Sequence, residues 1–176
     1  KFLWFAFFIP FFVNAQQHVV IDLSNPHATI FTHLYFLQED SYEPKKAAAT
    51  ILGLEESIAI EKAIKIKKVL DGKGLFVDVN RIPKNQNYKD TIGYSSYARY
   101  VLFPQRMPQI YVEKIEGKWY YSSETLAKIE GLYKEVFPWY VDKLQKIIPV
   151  SGHIKIVSIE LWQCVGLFLM FLLSFI

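Results

Sequence analysis

The chain has 176 residues, enough for one soluble domain with an adequate core and little more. A formal net charge of +3, with lysines spread along the chain and not gathered in a block, argues against a nucleic-acid binder. A single cysteine excludes an internal disulfide framework; Cys164 lies in an apolar run and reads as a small buried hydrophobe.

The apolar residues make up 52% of the sequence and gather at its two ends. The first patch is KFLWFAFFIPFFVNAQQ. Lys1 supplies a positive start, residues 2–13 an apolar region, and Val13-Asn14-Ala15 small or compact residues where a signal peptidase reads. About a dozen apolar residues are too few to span the hydrocarbon of a bilayer. Residues 1–15 are therefore expected to be a secretory signal peptide, cut before Gln16, and the alternatives are a short buried helix or an uncleaved anchor. No cysteine follows the cut, so a lipoprotein anchor has no support.

Residues 16–136 read as an extracytoplasmic domain. Asn25-Pro26 marks a start. THLYFLQEDSYEPKKAAATIL holds two short helical stretches, broken around residues 41–44. Pro44 suits a first helical turn, and Gly53 ends the second stretch. In LEESIAIEKAIKIKKVLDGKG, Ala59, Ala63, Ile66 and Leu70 recur at helical spacing, and Ile60 and Ile64 widen the stripe. Acids lead and lysines follow, which matches the helix dipole, and the lysine-rich side reads as a solvated face.

Asp71-Gly72-Lys73-Gly74 stops that helix. Residues 75–79 are expected to be a strand, residues 82–97 a loop and residues 99–103 a second strand. Residues 110–115 and 118–121 form a hairpin around Glu116-Gly117. A two-residue turn sets Val112 opposite Tyr121 and Lys114 opposite Trp119. Ile110, Val112, Trp119 and Tyr121 then share one face, with the stem of Lys114 over the indole. Ser122 or Ser123 caps a helix with a buried stripe of Leu126, Ile129, Tyr133 and Val136, and Pro138 ends it.

Helices followed by strands and a returning helix make an α+β domain, one that suits a cone shape with a bent antiparallel sheet. Residues 137–153 carry Trp139 and Tyr140 with Lys143 and Lys146, and read as an amphipathic lead-in at the interface or as a linker helix. Residues 154–176 are long and apolar enough for a transmembrane helix, with Trp162 near its start at the membrane interface. Glu160 lies close enough to that start to reach the headgroups. Lysines before the span favour a cytoplasmic side, but the signal peptide overrides them. A chain of this plan is expected to be the front part of a longer membrane protein.

No catalytic constellation stands out. His27 and His33 are six apart and fall on different helix faces, so they make a poor metal pair. His33 with Glu39 and Asp40 could form a site; a helix histidine bonded to a nearby acid is the plainer reading. Asp71-Gly72-Lys73-Gly74 looks like a phosphate loop, but lacks its spacing and its following helix, and a helix cap explains it. Arg81, Arg99 and Arg106 could bind an anion or form ion pairs with Asp78 or Asp90. Tyr94, Tyr97, Tyr100, Tyr111, Tyr120 and Tyr121 read as sheet surface and core, with a ligand pocket as the alternative.

HLYFLQEDSYEPKKAA, AIKIKKVLDGKGLFVDVNRIPKN and YARYVLFPQRMPQIYVEKIEGKWYYSSETLAKIEGLY together resemble the extracytoplasmic N-terminal region of bacterial small-conductance mechanosensitive channels. The sharpest part is Trp119-Tyr120-Tyr121-Ser122 with Thr125, Ile129, Leu132 and Tyr133, a strand-to-helix junction that in the family shortly precedes the first membrane helix. The resemblance covers residues 24–176. It implies a homo-oligomeric inner-membrane channel, a heptamer, that opens under bilayer tension and releases solutes on hypo-osmotic swelling, with no catalysis, metal or cofactor. The chain departs from the family in lacking the small-residue-rich pore helix and the cytoplasmic vestibule, so no pore residue is carried over. A membrane-tethered small-ligand-binding module and an exported enzyme are the competing readings.

Overall fold

A computed structural model describes residues 19–92, 95–138, 155–156 and 159–160. Helix α1, Pro26–Tyr35, starts at Asn25-Pro26, six residues ahead of the segment from Thr32 in which the first helical stretch was expected. Asn25 Oδ1 accepts from Ala28 N at 2.9 Å, and Pro26 occupies the first turn, where a missing N–H costs nothing. A 3₁₀ turn, Glu39–Ser41, leads to α2, Pro44–Ala48, which Pro44 opens.

Helix α3, Glu56–Gly72, buries the expected stripe of Ala59, Ala63, Ile66 and Leu70, joined by Val69. Its end is a Schellman cap. Leu75 N donates to Leu70 O at 2.8 Å and Gly74 N to Asp71 O at 2.9 Å. Gly74 takes the positive φ of 64° that this cap needs, and Leu75 buries beside the helix end.

The strand expected over 75–79 does not form. Leu75 turns inward as part of the cap and Phe76 is 89% exposed. Asp78 Oδ1 accepts from Asn80 N and opens a 3₁₀ turn, Val79–Arg81. Among the described residues no strand pairs with the segment, and without a partner alternation alone holds no extended ladder. Within the expected loop, β1, Asp90–Ile92, pairs with β2, Ser95–Tyr97, in a short antiparallel hairpin.

The main sheet is antiparallel, in the order β3-β4-β5, from β3, Arg99–Phe103, β4, Met107–Ile115, and β5, Lys118–Tyr121. The β4–β5 register is the predicted one, with Val112 opposite Tyr121 and Lys114 opposite Trp119. Glu116 at φ 49° and Gly117 at φ 85° give the turn two positive-φ residues, whose twist matches the strands. Ile110, Val112, Trp119 and Tyr121 bury on one face. Helix α4, Ser123–Val136, crosses that face with Leu126, Ile129 and Tyr133 and packs along α3. The molecule is α+β, helices first and then small antiparallel sheets.

Among the described residues no helix is long and apolar enough to cross a membrane. The signal peptide at 1–15, the interface residues Trp139, Tyr140 and Trp162, and all but four residues of the expected span lie outside the described residues. Those four form β6, Lys155–Ile156, and β7, Ile159–Glu160, paired antiparallel, so they are extended and not helical.

Candidate functional site

The strand-to-helix junction of β5 and α4 is where the named residues meet. Trp119 is fully buried, and its contacts run in three directions. Its backbone N donates to Leu23 O at 2.8 Å, its carbonyl accepts from Thr29 Oγ1 at 3.1 Å, and its indole Nε1 donates to Gln86 O at 3.1 Å. Opposite it, Lys114 Nζ reaches Asn87 Oδ1 at 2.8 Å. The hairpin is thereby tied to α1 on one side and to the 82–89 loop on the other.

Tyr121 closes the core against α1. Its hydroxyl lies 2.9 Å from His33 Nδ1, and His33 Nε2 lies 2.9 Å from Ala63 O. A carbonyl only accepts, so Nε2 carries the proton and Nδ1 accepts from the tyrosine hydroxyl. One neutral imidazole thus joins α1, α3 and β5. Burial lowers the His33 pKa to about 4, against a smaller raising effect of the Ala63 hydrogen bond. Burial likewise pushes the Tyr121 hydroxyl upward. The expectation that His33 pairs with Glu39 or Asp40 is corrected: its partners are Ala63 and Tyr121. The signal was present in the sequence. His33 stands three and four residues from Ile30 and Thr29, both buried, so it shares their face.

Ser122 caps α4, its Oγ accepting from Thr125 N at 3.0 Å. Thr125 Oγ1 lies 2.7 Å from Gln109 O, which can only accept, so the threonine hydroxyl donates there. The Ser122 hydroxyl must then donate to Thr125 Oγ1, 2.8 Å away. Tyr111 N adds a donor to Thr125 Oγ1 at 3.2 Å, and Tyr111 OH donates to Glu124 at 2.9 Å. Hydrogen bonds from Lys128 and then Tyr111 hold the Glu124 carboxyl below its usual pKa. The start of α4 is therefore sewn to β4 by side chains of its first turn.

Two further contacts fix α4 along its length. Glu130 pairs with Lys62 at 2.9 Å and with Lys65 at 2.7 Å, and Lys65 and Lys68 stand over the Tyr133 ring at 5.4 and 6.0 Å. Part of the lysine-rich face of α3 therefore covers α4, where a solvated face was expected. Its partner lies 65 or more residues away, beyond the reach of any local pattern. At the far end α3 and α4 nearly touch. A Cβ on Gly72 would sit 2.2 Å from Val136 Cγ1 and 3.1 Å from Phe137 Cζ. Ile129 is fully buried, and the Tyr133 ring lies 4.9 Å from that of Phe137, tilted by 34°. The five junction residues Trp119, Tyr121, Ser122, Ile129 and Tyr133 are all buried.

The arginines follow the ion-pair reading in two cases. Arg81 meets Asp78 at 3.1 Å and Arg99 meets Asp90 at 3.8 Å, with the Arg99 guanidinium 5.2 Å from the Tyr97 ring and 5.6 Å from the Tyr111 ring. Arg106 instead reaches the Lys73 carbonyl at 3.5 Å. Among the described residues no group of three or more His, Cys, Asp or Glu is placed to hold a metal ion. Comparison with protein-family models, curated proteins and solved structures finds no match to the chain.

Proposed function

We propose that this chain is the extracytoplasmic accessory domain and first span of a tension-gated channel that releases solutes on hypo-osmotic shock. The observation that carries the reading is the fixing of α4 at three places. Its first turn is bonded to β4, its middle is paired through Glu130 with α3, and its end lies against Gly72. A helix held this way moves with its domain as one body. The sequence after Pro138 reads as an interfacial lead-in or a linker helix and then an apolar span, so the path from the membrane to the domain enters through α4. The sequence order of the quoted segments and the buried junction residues support this reading, although the strand at Val77-Asp78 that belongs to the resemblance is absent; the register shift between Val101 and Phe103 is compatible with a bent sheet.

In this reading tension acts on lipid-facing helices of a homo-oligomer. The domain touches no hydrocarbon, and biases closed against open states only through contacts that differ between them. The test is patch recording from spheroplasts under suction. Deleting residues 25–136 from the full-length protein, with leader and spans retained, leaves a tension-activated conductance with a shifted threshold. A full-length protein that stays silent at every tension overturns the reading. An inserted, oligomeric deletion protein that never opens makes the domain part of the gate and no mere bias.

A further inference from the structure

The largest cleft among the described pockets is not at the tyrosine-rich sheet. It lies between α1, the end of α3 and the segment that follows the Schellman cap, and has a volume of about 500 Å³. That is within the range of small-molecule sites, roughly 300 to 1,000 Å³. We propose that it binds a small, uncharged, planar aromatic molecule. This does not depend on the channel reading, since it concerns the folded domain whether or not the whole protein conducts.

One wall is a ladder of rings on α1 at helical spacing. His27 and Phe31 stand 6.2 Å apart with planes 8° from parallel, and Phe31 and Tyr35 stand 5.5 Å apart at 29°. A third ring slipped between two others needs about 7 Å, twice the contact distance of carbon atoms. A ligand ring therefore lies across the edges of the ladder, in the edge-to-face geometry that aromatic groups favour. Buried Leu70 and Leu75 form the floor. Phe76, the most exposed of the large hydrophobic side chains described, also lines the cleft.

The polar groups set the charge of the ligand. Lys67 and Asp71 both line the cleft, and they pair with each other, so the lining carries no net charge from them. His27 has its pKa lowered, by burial first and then by Lys84, which favours the neutral ring. The side chains of His27, Tyr35, Gln38 and Asn80 make no hydrogen bond to the described residues. An apolar floor, aromatic walls and a rim of neutral donors and acceptors suit a flat molecule with a polar edge. They offer neither the fixed cation an anion needs nor a free acid for a cation.

Indole serves as the uncharged test molecule. Tryptamine and indole-3-acetate carry the same ring with a positive and a negative charge. The full chain, in lipid nanodiscs with a ring-fluorinated phenylalanine at position 76, is titrated with each and followed by fluorine NMR. Partition into lipid does not move that resonance in a saturable way. A saturable shift with indole at about millimolar affinity is expected for a ligand of this size. Both charged analogues bind more weakly. Phe31→Ala weakens indole about fivefold through the lost ring contact. Gln38→Ala, at an exposed rim position, weakens it about threefold and guards against misfolding in the first variant. Tyr97→Ala, outside the cleft, leaves it unchanged. Absence of a saturable shift, tighter binding of either charged analogue, or indifference to both Phe31→Ala and Gln38→Ala overturns the proposal.

Discussion

Two glycines inside helices respond to alanine in opposite directions. Gly131 lies exposed in α4, and a Cβ there meets nothing within 4 Å. Gly131→Ala therefore gains about 0.5 to 1 kcal/mol, because alanine loses less backbone freedom on folding. Gly72, in the last turn of α3, has the same propensity to gain. Its new Cβ, however, falls 2.2 Å from Val136 Cγ1, against an optimal separation of about 3.5 to 4 Å. Val136 is β-branched and has one strongly preferred rotamer in a helix, so it does not swing aside freely. Phe137 Cζ, at 3.1 Å, blocks the neighbouring direction. Overpacking of this kind costs about 1 to 3 kcal/mol, which leaves Gly72→Ala less stable by about 0.5 to 2 kcal/mol. Guanidinium unfolding followed by the near-ultraviolet dichroism of the buried aromatics measures both variants. The clash also predicts rescue. Val136→Ala is destabilising alone, but in the Gly72→Ala background it costs less, with a coupling of about 1 kcal/mol or more. Strict additivity of the two changes, or a Gly72→Ala protein as stable as the parent, would refute the close approach of the two helix ends.

Trp119→Ala, which empties a fully buried indole site, lowers stability by about 3 to 5 kcal/mol, and a melting midpoint within a degree or two of the parent would speak against that burial. Tyr121→Phe keeps the ring but leaves His33 Nδ1 without its donor, at a cost of about 1 to 3 kcal/mol; denaturant midpoints measure it, and no loss would mean that the hydrogen bond is absent. Stability also falls with acid between pH 6.5 and about 4. The unfolded His33 protonates near 6.5 and the folded one only near 4, so the unfolded state binds the extra proton in that window and gains as pH drops. The full difference is about 3 kcal/mol, present above pH 6.5 and lost by about pH 4. In His33→Gln this part of the pH slope disappears, and an unchanged slope would place the titration elsewhere.

The sequence by itself determined the features that depend on a few adjacent residues. Glu116-Gly117 allows only a tight two-residue turn, so the β4–β5 register and the shared face of Ile110, Val112, Trp119 and Tyr121 follow from alternation alone. Asn25-Pro26, Pro44, Asp71-Gly72-Lys73-Gly74 and Ser122 mark helix ends through their own backbone chemistry, and the stripe of α3 is written at helical spacing. The tertiary structure decided whatever needed a distant partner. Residues 75–79 alternate like a strand, yet a strand exists only if another pairs with it, and the cap geometry at Gly74 carries the chain elsewhere. The lysines of α3 looked solvated because Glu130 is far away in sequence. His33 looked like a partner for nearby acids, but its bonds go to Ala63 and to Tyr121, 88 residues on. A polar group removed from water takes whatever partner the packed core brings to it, and sequence distance has no part in that choice.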